Sequence, residues 1–236
     1  MAEELTRYSI IDKKNKREIV LLRGNGCKWR KCRFCDYHQD FSKEEEENTK
    51  LNMEVLKNVK GIYEKLEVVN SGSFCELNED TIKAIEETCI RCNIHSLNFE
   101  SHWMYRNNVA AFRERFKKLG IALKIKIGVE SFDYDFRETY LVKGITSYSP
   151  KEISELFDEV CLLQGLNGQT VKGMIEDIEI GLEYFDRVCV NIMVENGMPV
   201  KPDENIIREF VKEVYPIYKD NERIDILLNN TDFGIG

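Results

Sequence analysis

The chain of 236 residues is missing several things that would send it elsewhere in the cell. No apolar run approaches the ~20 residues that a membrane-spanning helix needs. The start, MAEELTRYSIIDKKNKRE, is polar and charged and has no signal-like apolar stretch, so a cytoplasmic protein without membrane contact is expected. A basic excess is missing too: 34 Lys and Arg stand against 42 Asp and Glu, a formal net charge of −8. That is the wrong sign for gripping a phosphate backbone over a broad face, so no direct nucleic-acid binding is expected and a small-molecule substrate is. There is no internal repeat and no long linker, and the acidic run at 44–47 reads as a solvated loop. Residues 1–236 are therefore expected to form a single domain. At this length roughly 70–75% of the unfolded chain's surface can be buried, so the core needs no disulfide staples. In a reducing compartment the eight cysteines are left to act as ligands, nucleophiles or core filler.

What is present alternates short apolar runs with helical patterns, as parallel strands joined by crossover helices do. Strands are expected at 19–22, 66–70, 95–100, 123–129, 159–163, 187–194 and 224–228. Between them, Val55, Val59, Ile62 and Leu66 step as one helical stripe. Asn78 caps a helix carrying Ile82, Ile85 and Cys89, and Val109, Phe112, Phe116 and Leu119 end at Gly120. Ser149-Pro150-Lys151-Glu152 supplies an N-cap, a first-turn proline and a capping-box glutamate. Thr170 caps a helix over 171–185, and Asp203 after Pro202 opens another that carries Ile207, Phe210, Val211 and Val214. About six strand–helix units give an α/β fold, a curved parallel sheet or barrel, with function in the loops after the strand C-termini.

The first such loop, RGNGCKWRKCRFCDYHQD, holds Cys27, Cys32 and Cys35 at a spacing of C-x4-C-x2-C. A structural zinc ion wants four closed ligands, whereas a [4Fe–4S] cluster held by three thiolates keeps one iron open for a small molecule. The count favours the cluster. Zinc completed by His38 or by Cys89 and Cys92 stays open, as does a redox dithiol. Cys89 sits on an apolar helix face and reads as core filler. Lys28, Arg30, Lys31 and Arg33 make the loop locally basic, which offsets thiolate charge or offers a docking patch for an acidic protein. Further along, NFESHWMYR concentrates chemistry after the third strand. Glu100 and His102 both face inward if the strand persists that far, beside Trp103 and Tyr105. The tail LLNNTDFGIG offers Asn229, Asp232 and Phe233, in which the aspartate can accept the paired donors of a guanine-like edge while the phenylalanine stacks.

The cysteine loop, with Phe34 before its last cysteine, resembles the radical S-adenosylmethionine (SAM) superfamily, whose usual signature is C-x3-C-x2-C. The extra residue between Cys27 and Cys32 departs from it. Asn70-Ser71-Gly72-Ser73 stands where that superfamily contacts the amino group of SAM, and Glu130-Ser131 where it holds the methionyl carboxylate or ribose. LLQGLNGQT is similar to the fifth-strand segment of oxygen-independent coproporphyrinogen oxidase, and VNIMVENGMPV to a sixth strand and its turn. The resemblance covers about 19–202, leaving 203–236 as a helix, a strand and a tail that close the barrel mouth. It implies a partial (β/α)6 barrel, a [4Fe–4S] cluster on the three cysteines, and SAM on the open iron. Phe34, Ile192 and Met193 would then flank its adenine, a 5′-deoxyadenosyl radical would abstract hydrogen, and a flavodoxin or ferredoxin would supply electrons.

Small size, ESHWMYR and the polar tail resemble, within the superfamily, the queuine lyases of queuosine salvage, a route of tRNA modification. Such enzymes release 7-aminomethyl-7-deazaguanine from queuine by hydrogen abstraction from its cyclopentenediol and cleavage of a carbon–nitrogen bond. The likeness implies a deazapurine substrate held by Glu100, His102, Trp103, Tyr105, Asn229, Asp232 and Phe233, with Glu100 and His102 catalytic. The alternatives are a relative of 7-carboxy-7-deazaguanine synthase and a zinc-stabilised binding module without turnover.

Overall fold

A computed structural model describes residues 5–36 and 39–228. They fall into two compact units, Met1–Arg30 with Tyr37–Ile125, and Lys31–Asp36 with Lys126–Gly236. Among the described residues, no helix is long and apolar enough to cross a membrane.

In the first unit, β1 (Tyr8–Ile11) pairs antiparallel with β2 (Arg17–Leu22). β2 pairs in parallel with β3 (Lys65–Asn70), and β3 with β4 (Ser96–Ser101). Every residue of β2 is buried: Ile19–Leu22 is an unbroken apolar run instead of an alternation, while Arg17 pairs with Glu67 and Glu18 accepts from the amides of Lys60, Gly61 and Ile62. Three helices follow: α1 (Glu45–Leu56), α2 (Glu79–Arg91) and α3 (Val109–Lys117). Asn78 caps α2 by accepting from the Thr81 amide, and Ile82, Ile85 and Cys89 are buried beneath it. Burial pushes the Cys89 thiol up to about 12, as befits core filler.

Local expectations in this unit need correction. β1 was not foreseen. The acidic run is not a loop: Glu45, Glu46 and Glu47 form the first turn of α1, where carboxylates meet the positive end of the helix. The stripe from Val55 to Leu66 breaks, because α1 stops at Leu56 and the Asn58 side chain donates to the carbonyls of Glu54 and Val55. Beyond that point Ile62 is 48% exposed.

In the second unit, β5 (Ala122–Glu130) contributes its residues from Lys126 onward and pairs in parallel with β6 (Glu159–Gln164). β6 pairs with β7 (Arg187–Ile192), and β7 with β8 (Ile224–Leu227), both in parallel. The helices are α4 (Pro150–Ser154), α5 (Val171–Tyr184), and α6 (Glu204–Glu209), which runs through a π-helical stretch, Phe210–Val214, into α7 (Tyr215–Tyr218). Thr170 and Asp203 cap α5 and α6 as expected. Ser149 caps α4, yet no capping box forms. The Glu152 carboxylate accepts from the Ser147 hydroxyl, and that hydroxyl in turn receives the Ser149 amide. The helix ends after five residues.

Candidate active site at the strand ends

In the first unit the chain leaves β2 through Arg23, whose amide donates to Asn52 and whose guanidinium donates to Asn48, both on α1. It turns at left-handed Gly26 and brings Cys27 against the turn that follows β3, where the Cys27 amide donates to the Ser71 carbonyl at 3.1 Å. One buried carboxylate then gathers the surroundings. Glu76, 3% exposed, accepts from the Lys28 amide at 2.7 Å, from the Tyr105 hydroxyl at 2.9 Å and from the Ser73 amide. Donors directed at an ionised acceptor are among the stronger hydrogen bonds, so this residue fixes three segments together. Burial first, and then the Glu76 carboxylate, hold the Tyr105 phenol protonated well above its ordinary range.

Gly72 has to be glycine, because a Cβ there would overlap the Glu76 carboxylate and press the Cys27 backbone at 3.3 Å. At the end of β3, Asn70 donates to the Ser73 carbonyl, while its buried Oδ1 has no partner among the described residues. Such an orphaned acceptor is the feature that a donor on a bound ligand satisfies. Ser71 and Ser73 are buried, and Ser73 Oγ accepts from the His102 amide at 2.9 Å.

Glu100 lies in β4, but the strand ends at Ser101, so Glu100 and His102 do not alternate along one strand. His102 instead caps the 3-10 turn Trp103–Asn108, its Nδ1 accepting from the Met104 amide at 3.1 Å. Its ring stacks on Trp29 with centroids 5.2 Å apart. Trp103 is buried under the guanidinium of Arg106. Trp29 and Glu76 were not foreseen. Glu76 had a signal, since Ser73-Phe74-Cys75-Glu76 has the spacing of a capping box, and that box forms.

In the second unit, Lys31–Asp36 is tied down by its backbone. The Arg33 amide donates to the Leu141 carbonyl at 3.0 Å, the Val200 amide to the Arg33 carbonyl at 3.0 Å, and the Asn196 side chain to the Phe34 carbonyl at 2.8 Å. Phe34 packs on a buried cluster of Leu141, Leu163, Leu166, Met193 and Val200. Ile192 is buried at the end of β7.

Glu130 ends β5 after a register shift, with φ of +68°, and forms an ion pair with Lys143 at 2.6 Å. The two side chains are 8% and 12% exposed. Burial works against the charge on Lys143, but Glu130, Cys32 and Cys35 outweigh it and hold the ammonium above its ordinary range. Ser131 is buried beside a cleft of about 370 Å³ that also meets Phe136, Thr170 and Asp177. Burial raises the Asp177 carboxyl to about 6 even though its Oδ1 accepts from the Phe132 amide.

None of Cys27, Cys32 and Cys35 is in a disulfide, and all three are partly exposed. Among the described residues no three His, Cys, Asp or Glu side chains are gathered as metal ligands. Cys89 is core and the Cys92 thiol donates to the Val59 carbonyl, which removes that pair from the ligands considered for zinc. His38 and the tail residues Asn229, Asp232 and Phe233 lie outside the described residues.

No protein-family model matches the chain, and no curated protein does. Among solved structures, a queuine lyase from Clostridium spiroforme bound to SAM and queuine is 43% identical, covers 99% of this chain and 100% of its own, and superposes with a TM-score of 0.93. The Bacillus subtilis ydhD protein, described as a sporulation-specific glycosylase, is 8% identical over 85% of this chain and 74% of its own. Its TM-score of 0.34 carries no argument. The α/β fold implied by the sequence, that of the partial radical SAM barrel, is the one shared with the first of these. Fold and three-cysteine loop together define a radical SAM enzyme of the lyase kind. The chain belongs to the queuine lyase family.

Proposed function

We propose that this protein cleaves queuine to 7-aminomethyl-7-deazaguanine, using a [4Fe–4S] cluster on Cys27, Cys32 and Cys35 together with SAM. The observation that carries the reading is 43% identity across the whole length of an enzyme bound to SAM and queuine.

The residues present suit both groups. Three thiols, none in a disulfide, stand in one short loop, and three thiolates leave one iron of a cluster open. In the first unit the unpartnered Oδ1 of Asn70 suits an ammonium donor, and the hollow at Gly72, flanked by Ser71 and Ser73, admits close backbone approach. In the second unit we assign Glu130 and Ser131 to the polar part of SAM, and Phe34, Ile192 and Met193 to its adenine. When bound, cluster and SAM supply the one-electron chemistry that removes a hydrogen atom from the substrate.

The chain's own residues bind, orient and exclude water. Glu76 holds Cys27 and Lys28 against the Ser71–Ser73 turn, and the apolar packing around Phe34 keeps solvent away. Because Nδ1 of His102 accepts a hydrogen bond, the neutral ring carries its proton on Nε2, a donor suited to a diol oxygen. Glu100 is assigned to the substrate amine, Trp103 and Tyr105 to the walls around it, and Asn229, Asp232 and Phe233 to the deazaguanine edge.

A flavodoxin or ferredoxin is the proposed reductant, docking on the exposed basic residues Lys28, Arg30, Lys31 and Arg33. The setting is the cytoplasm and the catalytic unit is a single domain.

Anaerobic incubation with SAM, dithionite and queuine, followed by mass spectrometry, tests the reading. The expected result is 7-aminomethyl-7-deazaguanine formed together with 5′-deoxyadenosine. Intact queuine, with turnover on another deazapurine instead, would overturn it.

A further inference from the structure

Lys143 has no part in the roles assigned above, and its setting is unusual. A lysine is rarely buried unless paired, and this one is 12% exposed. The backbone around it is built to deliver it: Val142 takes φ of +58°, a genuine outlier for a β-branched residue, and Gly144 follows at φ of +76°. Such strain persists only where the surroundings over-determine it. The ammonium arrives over Gly128, where a Cβ would lie 2.8 Å from Nζ and 2.5 Å from Glu130 Oε1. It pairs with Glu130 at 2.6 Å and stands 5.4 Å from the centre of the Phe34 ring. Phe34 is the residue between Arg33 and Cys35, on a segment whose backbone is pinned at Arg33 and Phe34. A buried cation is thus held beside the part of the loop that carries Cys32 and Cys35. The other cations of that loop, Lys28, Arg30, Lys31 and Arg33, are exposed, where solvent and salt screen them.

From this placement we infer that Lys143 is a positioning residue whose buried positive charge raises the reduction potential of the cluster on this loop, with Glu130 holding the ammonium in place. The inference rests on the cluster reading above. The step concerned is the transfer of one electron from an external donor to the oxidised cluster. Reduction adds a negative charge, so a nearby cation favours the reduced form, and net local charge is one of the main determinants of cluster potential. Lys143 itself gains and loses neither electron nor proton.

The test is anaerobic potentiometric titration of the reconstituted holoenzyme, followed by its paramagnetic resonance signal, for wild type, Lys143→Met, Lys143→Gln, Lys143→Arg and Lys28→Met. At the wild-type midpoint, the ratio of reduced to oxidised cluster is expected to fall about tenfold in the Met and Gln variants, which for one electron is ~59 mV. Lys143→Arg is expected to stay within about threefold of wild type, and Lys28→Met to shift far less than Lys143→Met. Should both neutral variants fail to hold iron, the Lys143→Arg titration decides: a potential within about threefold of wild type supports the inference, and a larger fall overturns it. An unchanged potential in Lys143→Met, an equal shift in Lys28→Met, or loss of iron from the arginine variant as well would overturn it. Wild-type protein that takes up no iron and sulfide would sink the cluster reading itself, a result distinguishable from all of these.

Discussion

In the first part of the cysteine loop, backbone amides are gathered by a buried anion, Glu76, which sits where Gly72 has no side chain. In the second part, the loop bonds through its backbone to Leu141, Val200 and Asn196. The charge beside it is a cation, Lys143, which is paired with buried Glu130 and sits where Gly128 has no side chain. The difference follows from what each group can bond. A carboxylate only accepts, so it can order amides and a phenol; an ammonium only donates, so it serves a neighbouring carboxylate. An anion thus orders the first part of the loop, and a cation stands beside the second.

The largest expected effect would break both sides at once. Alanine at Cys27, Cys32 or Cys35 should abolish bound iron and visible colour, whereas alanine at Cys89 or Cys92 should keep them; metal analysis of the reconstituted proteins decides. Next comes the anion. Glu76→Ala leaves the Lys28 and Ser73 amides and the Tyr105 hydroxyl without their acceptor; a buried orphan such as the Ser73 amide costs about 1–3 kcal/mol and the two part-buried donors cost less, so a total loss of roughly 3–5 kcal/mol is expected in urea denaturation of the apoprotein. Glu76→Gln, which keeps one carbonyl oxygen, should lose less.

Asp177 sharpens the contrast, because it is a buried carboxyl that lacks the three donors of Glu76. Its folded pKa of about 6 lies above the 3.8 of a free carboxyl, so the folded state binds its proton more tightly. That contribution to stability is complete below pH 3.8 and is lost as pH rises through about 6. Asp177→Asn should flatten this slope and gain on the order of 2–3 kcal/mol at neutral pH, measured by denaturation at several pH values. The two glycines give the smallest effect. Gly72→Ala must move the Cys27 backbone as well as Glu76, while Gly128→Ala meets only the tips of two side chains. Overpacking of about 1–3 kcal/mol is expected, with Gly72→Ala at the upper end and Gly128→Ala at the lower.

The alternation of strands and helices was legible because strands such as Ile19–Leu22 within β2 are apolar runs and several helices carry a cap, as Asn78, Thr170 and Asp203 show. β1 was not, since Tyr8–Ile11 is short and its burial pattern is not that of a core strand. The cysteines and the Asn70–Ser73 turn were legible from residue type and spacing. Glu76 was harder: its bond to the Lys28 amide spans 48 positions, and only its capping-box spacing is local. Lys143 left no local signal, because its burial depends on a hollow at Gly128 and on a partner 13 positions away. His102 was expected to face the same way as Glu100 if the strand persisted that far, and the strand ends at Ser101.

Queuine deuterated on its cyclopentenediol ring tests the central claim most directly. Incubated anaerobically with the enzyme, SAM and reductant, it should pass deuterium into 5′-deoxyadenosine as 7-aminomethyl-7-deazaguanine is released. Unlabelled 5′-deoxyadenosine formed while every deuterium stays on intact queuine would contradict it.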